Sequence, residues 1–592
     1  MEEEPSLYLA FDFSTQQVKA VITDESLKIL HETSVHFDTE LTEYRTSGGV
    51  ISRRSESKTS VTAPTIMWVK ALDILMEKIR ILGVDFEEIK AISGSAQQHG
   101  SVFWRKGARN LLKNASPSSF LHQELAQAFS ILDSPVWMDS STGKECRFLE
   151  ERIGGPDKLS AITGSRAFER FTLNQLIKLF NEKNEAFHHT ERISLVSSFA
   201  ASLFLGDYAP IDYSDAGGMN LLDINTQKWS LEVAEASGVE DLIPKLGAAP
   251  VPSGTILGNV SNYMSERFGF HPETKVVAFT GDNPSTFAGL TRMKPGDIGI
   301  SLGTSDTVFI ALKEPVPQVY GHVWLSPWAT KEDPLYMGLI CYKNGSLTRE
   351  KIRDSCAEGS WDIFSQLLNS SPRGNFGNIG IYFDTEEITP GPIKGEFRFN
   401  KGGERVSRYA SKESEVRALV ESQFLAKKIH AEKMGYRKES HQSRVWVTGG
   451  GSINVSLLQV ISDVFNSPVF TQGLKNSAAF GSCVRASAAL KKNASVKEAS
   501  VGKERKEENP FDQEQTGHDS VEETSSEKEG KEEEKSSDLE TRGALEDNDY
   551  VKELSKEEEE EEPICTPNKD AGTVYNPMAL KYKALEARIF PS

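Results

Sequence analysis

Two stretches of this chain, 289 residues apart, share one layout, and each can only be satisfied as a tight antiparallel hairpin. Residues 7–24, LYLAFDFSTQQVKAVITD, are two apolar runs joined by a polar turn at Ser14 to Gln17. Residues 296–313, GDIGISLGTSDTVFIALK, repeat that order around Gly303-Thr304-Ser305. Laying Ser14-Thr15 on Gly303-Thr304 gives the offset of 289 and predicts an internal duplication, hence two similar folding units.

The sequence around the hairpins alternates helix and strand periods. TIMWVKALDILMEKIRILG has helical apolar spacing and is followed by a strand-like IKAISGS; strand-then-helix units recur at VVAFTGDNPSTFAGL and VWVTGGGSINVSLLQVISDVF. This pattern predicts α/β domains with sheets covered by helices. A chain of 592 residues exceeds one ordinary core, so two large domains plus appendages are expected.

The net charge of −19 is a local property. Residues 497–562 hold 26 acidic and 10 basic side chains, a net of −16, so the remainder carries only −3 and charge gives no argument for a nucleic-acid partner. From 493 to 572 the chain is rich in Glu, Lys and Ser and is expected to be disordered. Helical apolar spacing returns in TVYNPMALKYKALEARIF, so the final residues, 573–592, are expected to pack back onto the core. The opening MEEEPSLYLAFDF lacks a basic and apolar leader pattern and no segment is long enough to span a bilayer, which points to the cytosol. Cys146, Cys341, Cys356, Cys483 and Cys565 are too scattered for a disulfide framework or a zinc site, and His188-His189 reads as a solvated helix end.

Phosphate groups need backbone N–H donors and small hydroxyl side chains in a tight turn. Both hairpin turns supply them, and Asp12 just before the first is placed to hold a magnesium ion that bridges phosphates. Either turn alone is more often a plain turn; the duplicated pair, with a carboxylate at one, points to a nucleotide. Gly281-Asp282-Asn283-Pro284 stands where a buried strand gives way to a helix, so Asp282 is either an N-cap or a general base at the carboxyl end of a sheet. Gln97, Gln98 and His99 form a polar cluster of the kind that binds sugar hydroxyls, or a surface loop. Arg166 and Arg170 in GSRAFERFTLNQ read as solvated helix charges. Gly449-Gly450-Gly451 after VWVT lets a flat ring lie against the backbone, with Asn454 one turn later to bond its edge.

Together these residues resemble the FGGY carbohydrate kinases, and within that family its xylulose kinases. The resemblance is carried by DFSTQQVK, SGSAQQHGS, PVWMDSST, GSRAFERFT, PIDYSDAGGMN, VVAFTGDNP, SLGTSDT, NGSLTREKIR and VTGGGSIN, and runs from about residue 7 to 490 and again at the final helix. It implies two actin-like, ribonuclease-H-like domains around a central cleft, at residues 1–275 and 276–492, and ATP-dependent phosphorylation of D-xylulose to D-xylulose 5-phosphate with Mg2+. It implies that His99, Arg170, Asp282 and Asn283, with Gln98, bind the ketose, and that Asp282 is the catalytic base. Trp361, Gly450, Gly451 and Asn454 match the ATP site, and Asp12, Thr15, Gly303 and Thr304 the phosphate-facing turns. For Arg170 this overrules the solvated reading. TGGGSIN carries a third glycine where a small residue such as alanine would also fit, with no loss of ATP binding expected, and the acidic segment near 497–562 has no counterpart in the family pattern. The competing readings are a kinase for another ketose or polyol, such as ribulose or glycerol, and a non-catalytic actin-like ATP-binding module; retention of Asp282 and the sugar cluster argues against the latter.

Overall fold

The computed structural model describes residues 6–54, 59–290, 293–438, 443–471, 476–507 and 562–590. The N-terminal sheet is built from Leu7–Phe13 (β1), Gln17–Thr23 (β2), Ile29–His36 (β3), Ile89–Ala96 (β4), Ile256–Asn259 (β5) and Lys275–Val277 (β6), in the order β5-β6-β4-β1-β2-β3. The first hairpin is therefore antiparallel, while β4 and β6 run parallel to β1. Helix Thr65–Ile81 (α1) buries Met67, Trp68, Leu72, Leu75, Met76 and Ile79 against one face. Val196–Leu205 (α2) is apolar almost all round and is buried accordingly. The short strand Thr280–Gly281 extends beside the end of β4 and leads into Asp282–Gly289 (α3).

The second sheet repeats the plan. Ile298–Leu302 (β7), Asp306–Leu312 (β8), His322–Leu325 (β9), Tyr336–Tyr342 (β10), Val445–Thr448 (β11) and Val469–Thr471 (β12) are ordered β9-β10-β8-β7-β11-β12. The five strands β10-β8-β7-β11-β12 match β3-β2-β1-β4-β6 in order and direction: an antiparallel meander, then two parallel strands. The duplication read from the hairpins is thus carried by whole sheets. The two turns differ in length, however: the last pair Phe13↔Val18 encloses four residues and Leu302↔Asp306 only three. The 289-residue offset therefore holds for the first strands and slips by one in the second.

The second half continues with the helices Ser346–Cys356 (α4), Trp361–Ser370 (α5), Lys412–Lys433 (α6), Val455–Phe465 (α7) and Ser477–Glu507 (α8). Residues 1–487 with 560–592 make one unit, and 488–559 a second, of which the remainder of α8 is the described part. Within the first unit α8 returns to the N-terminal sheet. Arg485, fully buried, donates to the carbonyls of Gly94, Ser253 and Ala278, and Ser285 of α3 donates to Ala478 O at 2.7 Å.

The expected disordered segment is narrower than 493–572 at both ends, because α8 continues to Glu507 and residues 562–570 are tied down. Ile564 N bonds Val469 O at 2.8 Å, and Asn568 N bonds Asp463 Oδ1 at 2.8 Å. Residues 508–561, the bulk of that expectation, lie outside the described residues. No described helix is long and apolar enough to cross a membrane. The last helix, Ala571–Ile589 (α9), buries Tyr575, Met578, Tyr582 and Leu585 in the same core as β7, β8 and α6. It also satisfies two buried groups: Tyr575 Oη donates to Glu421 at 2.7 Å, and Glu586 meets His430 Nε2 at 2.9 Å. Ending the chain at residue 570 removes four side chains whose burial is worth about 1.5–3 kcal/mol each and uncovers the core beneath them, so stability should drop by at least about 5 kcal/mol; an unshifted urea midpoint in the truncated protein would show α9 to be dispensable.

Candidate active site

Sheet register decides which residues meet. β1 and β4 are parallel with Phe13 opposite Ala96, so the turn after β1 and the loop after β4 leave the same edge of the sheet. Asp12 is opposite Ser95, which donates to its Oδ1 at 3.0 Å; Ser14 donates to Oδ2, and Lys19 stands 3.9 Å away. Burial raises the Asp12 carboxyl above its usual range. Thr15 accepts a hydrogen bond from the Trp137 indole N–H at 2.9 Å. Gly49 seats this turn: its φ of +78° suits glycine, and a Cβ there would lie 1.9 Å from Thr15 O.

The polar cluster after β4 is inside the protein. Gln98 is 3% and His99 6% exposed, which excludes a surface loop. Gln98 Nε2 approaches Asp215 Oδ1 at 3.5 Å, while its Oε1 accepts from Asn283 Nδ2 at 2.9 Å. Asn283 donates its backbone N–H to Asp282 Oδ1 at 2.8 Å, and its Nδ2 lies 3.2 Å from that oxygen. Asp282 is therefore the first residue of α3, not its N-cap; Gly281 occupies that place. Burial and the nearby Asp12 carboxyl push Asp282 up to about 7. Burial and the neighbouring Asp212 raise Asp215 well above the usual carboxylate range. Gln97 is buried, and neither atom of its amide has a hydrogen-bond partner among the described residues.

His99 has a left-handed backbone, φ 67°, and its ring stacks on Phe171 at 4.5 Å. Its Nδ1 lies 2.9 Å from Gly218 O. A carbonyl can only accept, so Nδ1 carries the proton and Nε2 is an acceptor. Burial and the neighbouring Arg170 push the ring down to about 3, so it is neutral at ordinary pH.

Arg166 and Arg170 are not helix charges, since both precede the helix Thr172–Glu182; the Arg166 side chain is solvated as expected, 42% exposed, and the solvated reading fails only for Arg170. Arg166 makes a two-bond pair with Glu150, at 3.0 and 3.1 Å. Arg170 lies over Phe168 and Phe171 and bonds His322. Aromatic cover and a histidine acceptor 152 residues away in sequence hold it in place, and neither can be read locally.

In the second sheet the same register rule applies. Ser301 opposite Thr448 brings the Gly303-Thr304 turn beside the glycine run. Gly303, Thr304, Trp361, Gly450, Gly451 and Asn454 all line one cavity of about 740 Å³. Trp361 opens α5, 36% exposed, with Arg353 over its ring at 4.8 Å; Ile453, 87% exposed, adds apolar wall. Asn454 caps α7 by accepting from Leu457 N at 3.2 Å and donates to Ser365 at 3.1 Å. Behind the turn, Asp306 is buried with Arg349 at 2.8 and 2.9 Å and Lys427 at 3.0 Å. Burial alone would raise it, but Lys427 and Arg349 outweigh burial and hold the carboxyl below its usual value.

Comparison with known proteins agrees with this arrangement. The N-terminal domain model of the FGGY family of carbohydrate kinases matches residues 126–289, and the C-terminal domain model matches residues 298–490. The chain belongs to this family. Xylulose kinase of Rattus norvegicus is 51% identical over 478 residues, covering 81% of this chain and 87% of its own length. Xylulose kinase 2 of Arabidopsis thaliana is 45% identical over 494 residues, covering 81% and 87%. Among solved structures, ligand-bound xylulose kinase from Lactobacillus acidophilus superposes with a TM-score of 0.70 at 14% identity over 99% of both chains. Plasmodium falciparum glycerol kinase with ADP gives 0.65 at 16%, covering 82% of this chain and 90% of its own. These two likenesses show the FGGY fold.

Asp215, Trp137 and His322 are absent from the sequence reading. PVWMD and DYSDAGG lie within strings that carry the family resemblance, but nothing local in them or in GHVW singles out these three residues; each matters through a partner at least 100 residues away.

The two buried neutral histidines give the FGGY fold a pH signature. Below pH 6.5 the unfolded chain takes up protons that His99 and His322 refuse, so stability conferred above that pH is lost as pH falls. Each ring accounts for up to about 1.4 kcal/mol per pH unit. The unfolding free energy of wild type relative to His99→Gln should therefore fall by about 1–2 kcal/mol between pH 6.5 and 5, measured by urea titration; a constant difference would mean the ring protonates freely.

Proposed function

We propose that this kinase transfers the γ-phosphate of ATP to a terminal hydroxyl of D-xylulose, yielding D-xylulose 5-phosphate and ADP. The observation that carries this reading is Asp282: a carboxyl raised to about 7, at the first turn of α3, bonded to Asn283 and close enough to Asp12 to feel its charge. A carboxylate poised near the working pH accepts the proton of the sugar hydroxyl as that oxygen attacks the γ-phosphorus. The new P–O bond forms as the bond to the bridging oxygen breaks, and ADP leaves with the electron pair.

The other residues divide the binding. His99 Nε2 accepts from one sugar hydroxyl, Arg170 donates to another oxygen, and the Gln98–Asn283 amide pair holds its own orientation while Asn283 Oδ1 accepts. In the cavity the adenine lies between Trp361 and the backbone of Gly450 and Gly451, with Asn454 at its polar edge. The Gly303-Thr304 and Ser14-Thr15 turns receive the phosphates. Among the described residues no three or more His, Cys, Asp or Glu side chains converge on a metal. This suits magnesium, which keeps much of its water and needs only one or two carboxylates beside phosphates. Asp12 would hold it, each of its oxygens taking one serine hydroxyl and keeping a further lone pair. When bound it supplies positive charge to the phosphate oxygens. Five unpaired thiols accord with a cytosolic setting.

A coupled ADP-release assay over pentuloses, polyols and hexoses tests the substrate, and sugar-independent release at the full rate would favour an ATP-binding module instead. For the wild type, kcat/KM for D-xylulose should rise as pH climbs through about 7, as Asp282 loses its proton. Asp282→Asn should lower kcat by about two to four orders of magnitude and abolish that rise, with KM little changed; near-normal turnover in the variant would sink the assignment. Trp361→Ala should raise KM for ATP about tenfold, in line with the about 1–3 kcal/mol that stacking a base on an aromatic ring contributes, and leave KM for the ketose unchanged; equal effects on both would show that the ring is not at the nucleotide.

A further inference from the structure

Arg170 and His322 come from opposite lobes. Arg170 sits in a loop of the N-terminal half, just before the helix Thr172–Glu182, and His322 opens β9, the edge strand of the C-terminal sheet. Arg170 Nη2 lies 3.0 Å from His322 Nε2. A guanidinium has donors only, so His322 Nε2 must present its lone pair and the ring proton must be on Nδ1. That nitrogen has its acceptor, Ser165 Oγ, at 3.0 Å. The ring cannot turn: Trp324, two residues on and hence on the same face of β9, stacks on it at 5.2 Å and 16°, and the edge of Phe168 abuts it at 4.8 Å.

The strand that carries the ring is fastened to the other lobe by its backbone. Val323 N donates to Gly164 O at 2.8 Å, and a Cβ on Gly164 would fall 1.7 Å from Val323 O. With φ at +76°, glycine is required there for two reasons at once. His322 therefore reaches Arg170 from a fixed place.

We infer that His322 is a positioning residue for the ketose site, holding the Arg170 guanidinium by its Nε2 lone pair and making the C-terminal lobe part of sugar recognition. It touches Arg170, not the reacting atoms. Since a neutral acceptor leaves the guanidinium charge uncancelled, Arg170 keeps its other N–H groups and its full charge for the sugar; a carboxylate in this place would have neutralised it.

This inference rests on the ketose kinase reading, and wild-type turnover checks that reading first. Given turnover, His322→Phe should raise KM for D-xylulose at least tenfold with KM for ATP within twofold of wild type. His322→Gln, which keeps an acceptor, should recover most of that loss. Arg170→Met combined with His322→Phe should be no worse than Arg170→Met alone. A KM unchanged in His322→Phe, or losses that multiply in the double variant, would overturn the assignment while leaving the kinase reading intact; a wild type that phosphorylates no ketose would remove both. If His322→Phe does not fold, Ser165→Ala takes its place: loss of the Nδ1 partner should raise KM for the ketose about threefold, and an unmoved KM would overturn the inference.

Discussion

A parallel strand laid beside a hairpin brings the hairpin's turn and its own carboxyl end to one edge of the sheet, and this fold uses that geometry twice. In the N-terminal sheet the Phe13↔Ala96 register sets Ser14-Thr15 beside Gln97–His99, and the pairing of Thr280–Gly281 with Ser95–Ala96 brings Asp282 to the same edge. In the C-terminal sheet the Ser301↔Thr448 register sets Gly303-Thr304 beside Gly449–Gly451. A one-residue slip in either ladder would turn Asp12 or the glycine run to the wrong face. Both turns are also sealed from behind by glycine: Gly49 against Thr15 O, and Gly345, where a Cβ would lie 2.9 Å from Thr304 O.

The two halves diverge in what stands behind each turn. Asp12 and Asp282 in the first half are carboxyls that burial drives up, as the proposed role of Asp282 as general base requires. In the second half Asp306, buried as deeply, is paired with Arg349 and Lys427 and stays charged. A charge so compensated is inert toward protons and serves to fix the turn and α4. Equivalent strands thus carry different partners: carboxyls that burial drives up in the first half, a doubly paired one in the second.

Local strings were legible where a backbone requirement limits the side chains. The strand-turn-strand layouts, the glycine run and the strand-to-helix step at Asp282 all stand where the sequence puts them, because turn chemistry and apolar period are short-range. The difference between Arg166 and Arg170 was not legible. Four residues apart with similar neighbours, one pairs with Glu150 across the surface and the other is roofed by Phe168 and Phe171 and bonded to His322. Resemblance to the family separated them where periodicity could not.

The sequence by itself determined the duplicated strand-turn-strand layouts, which rest on residue types at fixed short spacing, and, through the resemblance of its motifs, the FGGY family. Only the tertiary structure decided the protonation of the site: which nitrogen of His99 bears the proton, why Asp282 titrates near 7 while Asp306 stays ionised, and that a C-terminal strand supplies the acceptor for Arg170. The reason is that burial and charge pairing depend on groups as far apart in the chain as Asp12 and Asp282, neighbours only after the sheets have formed.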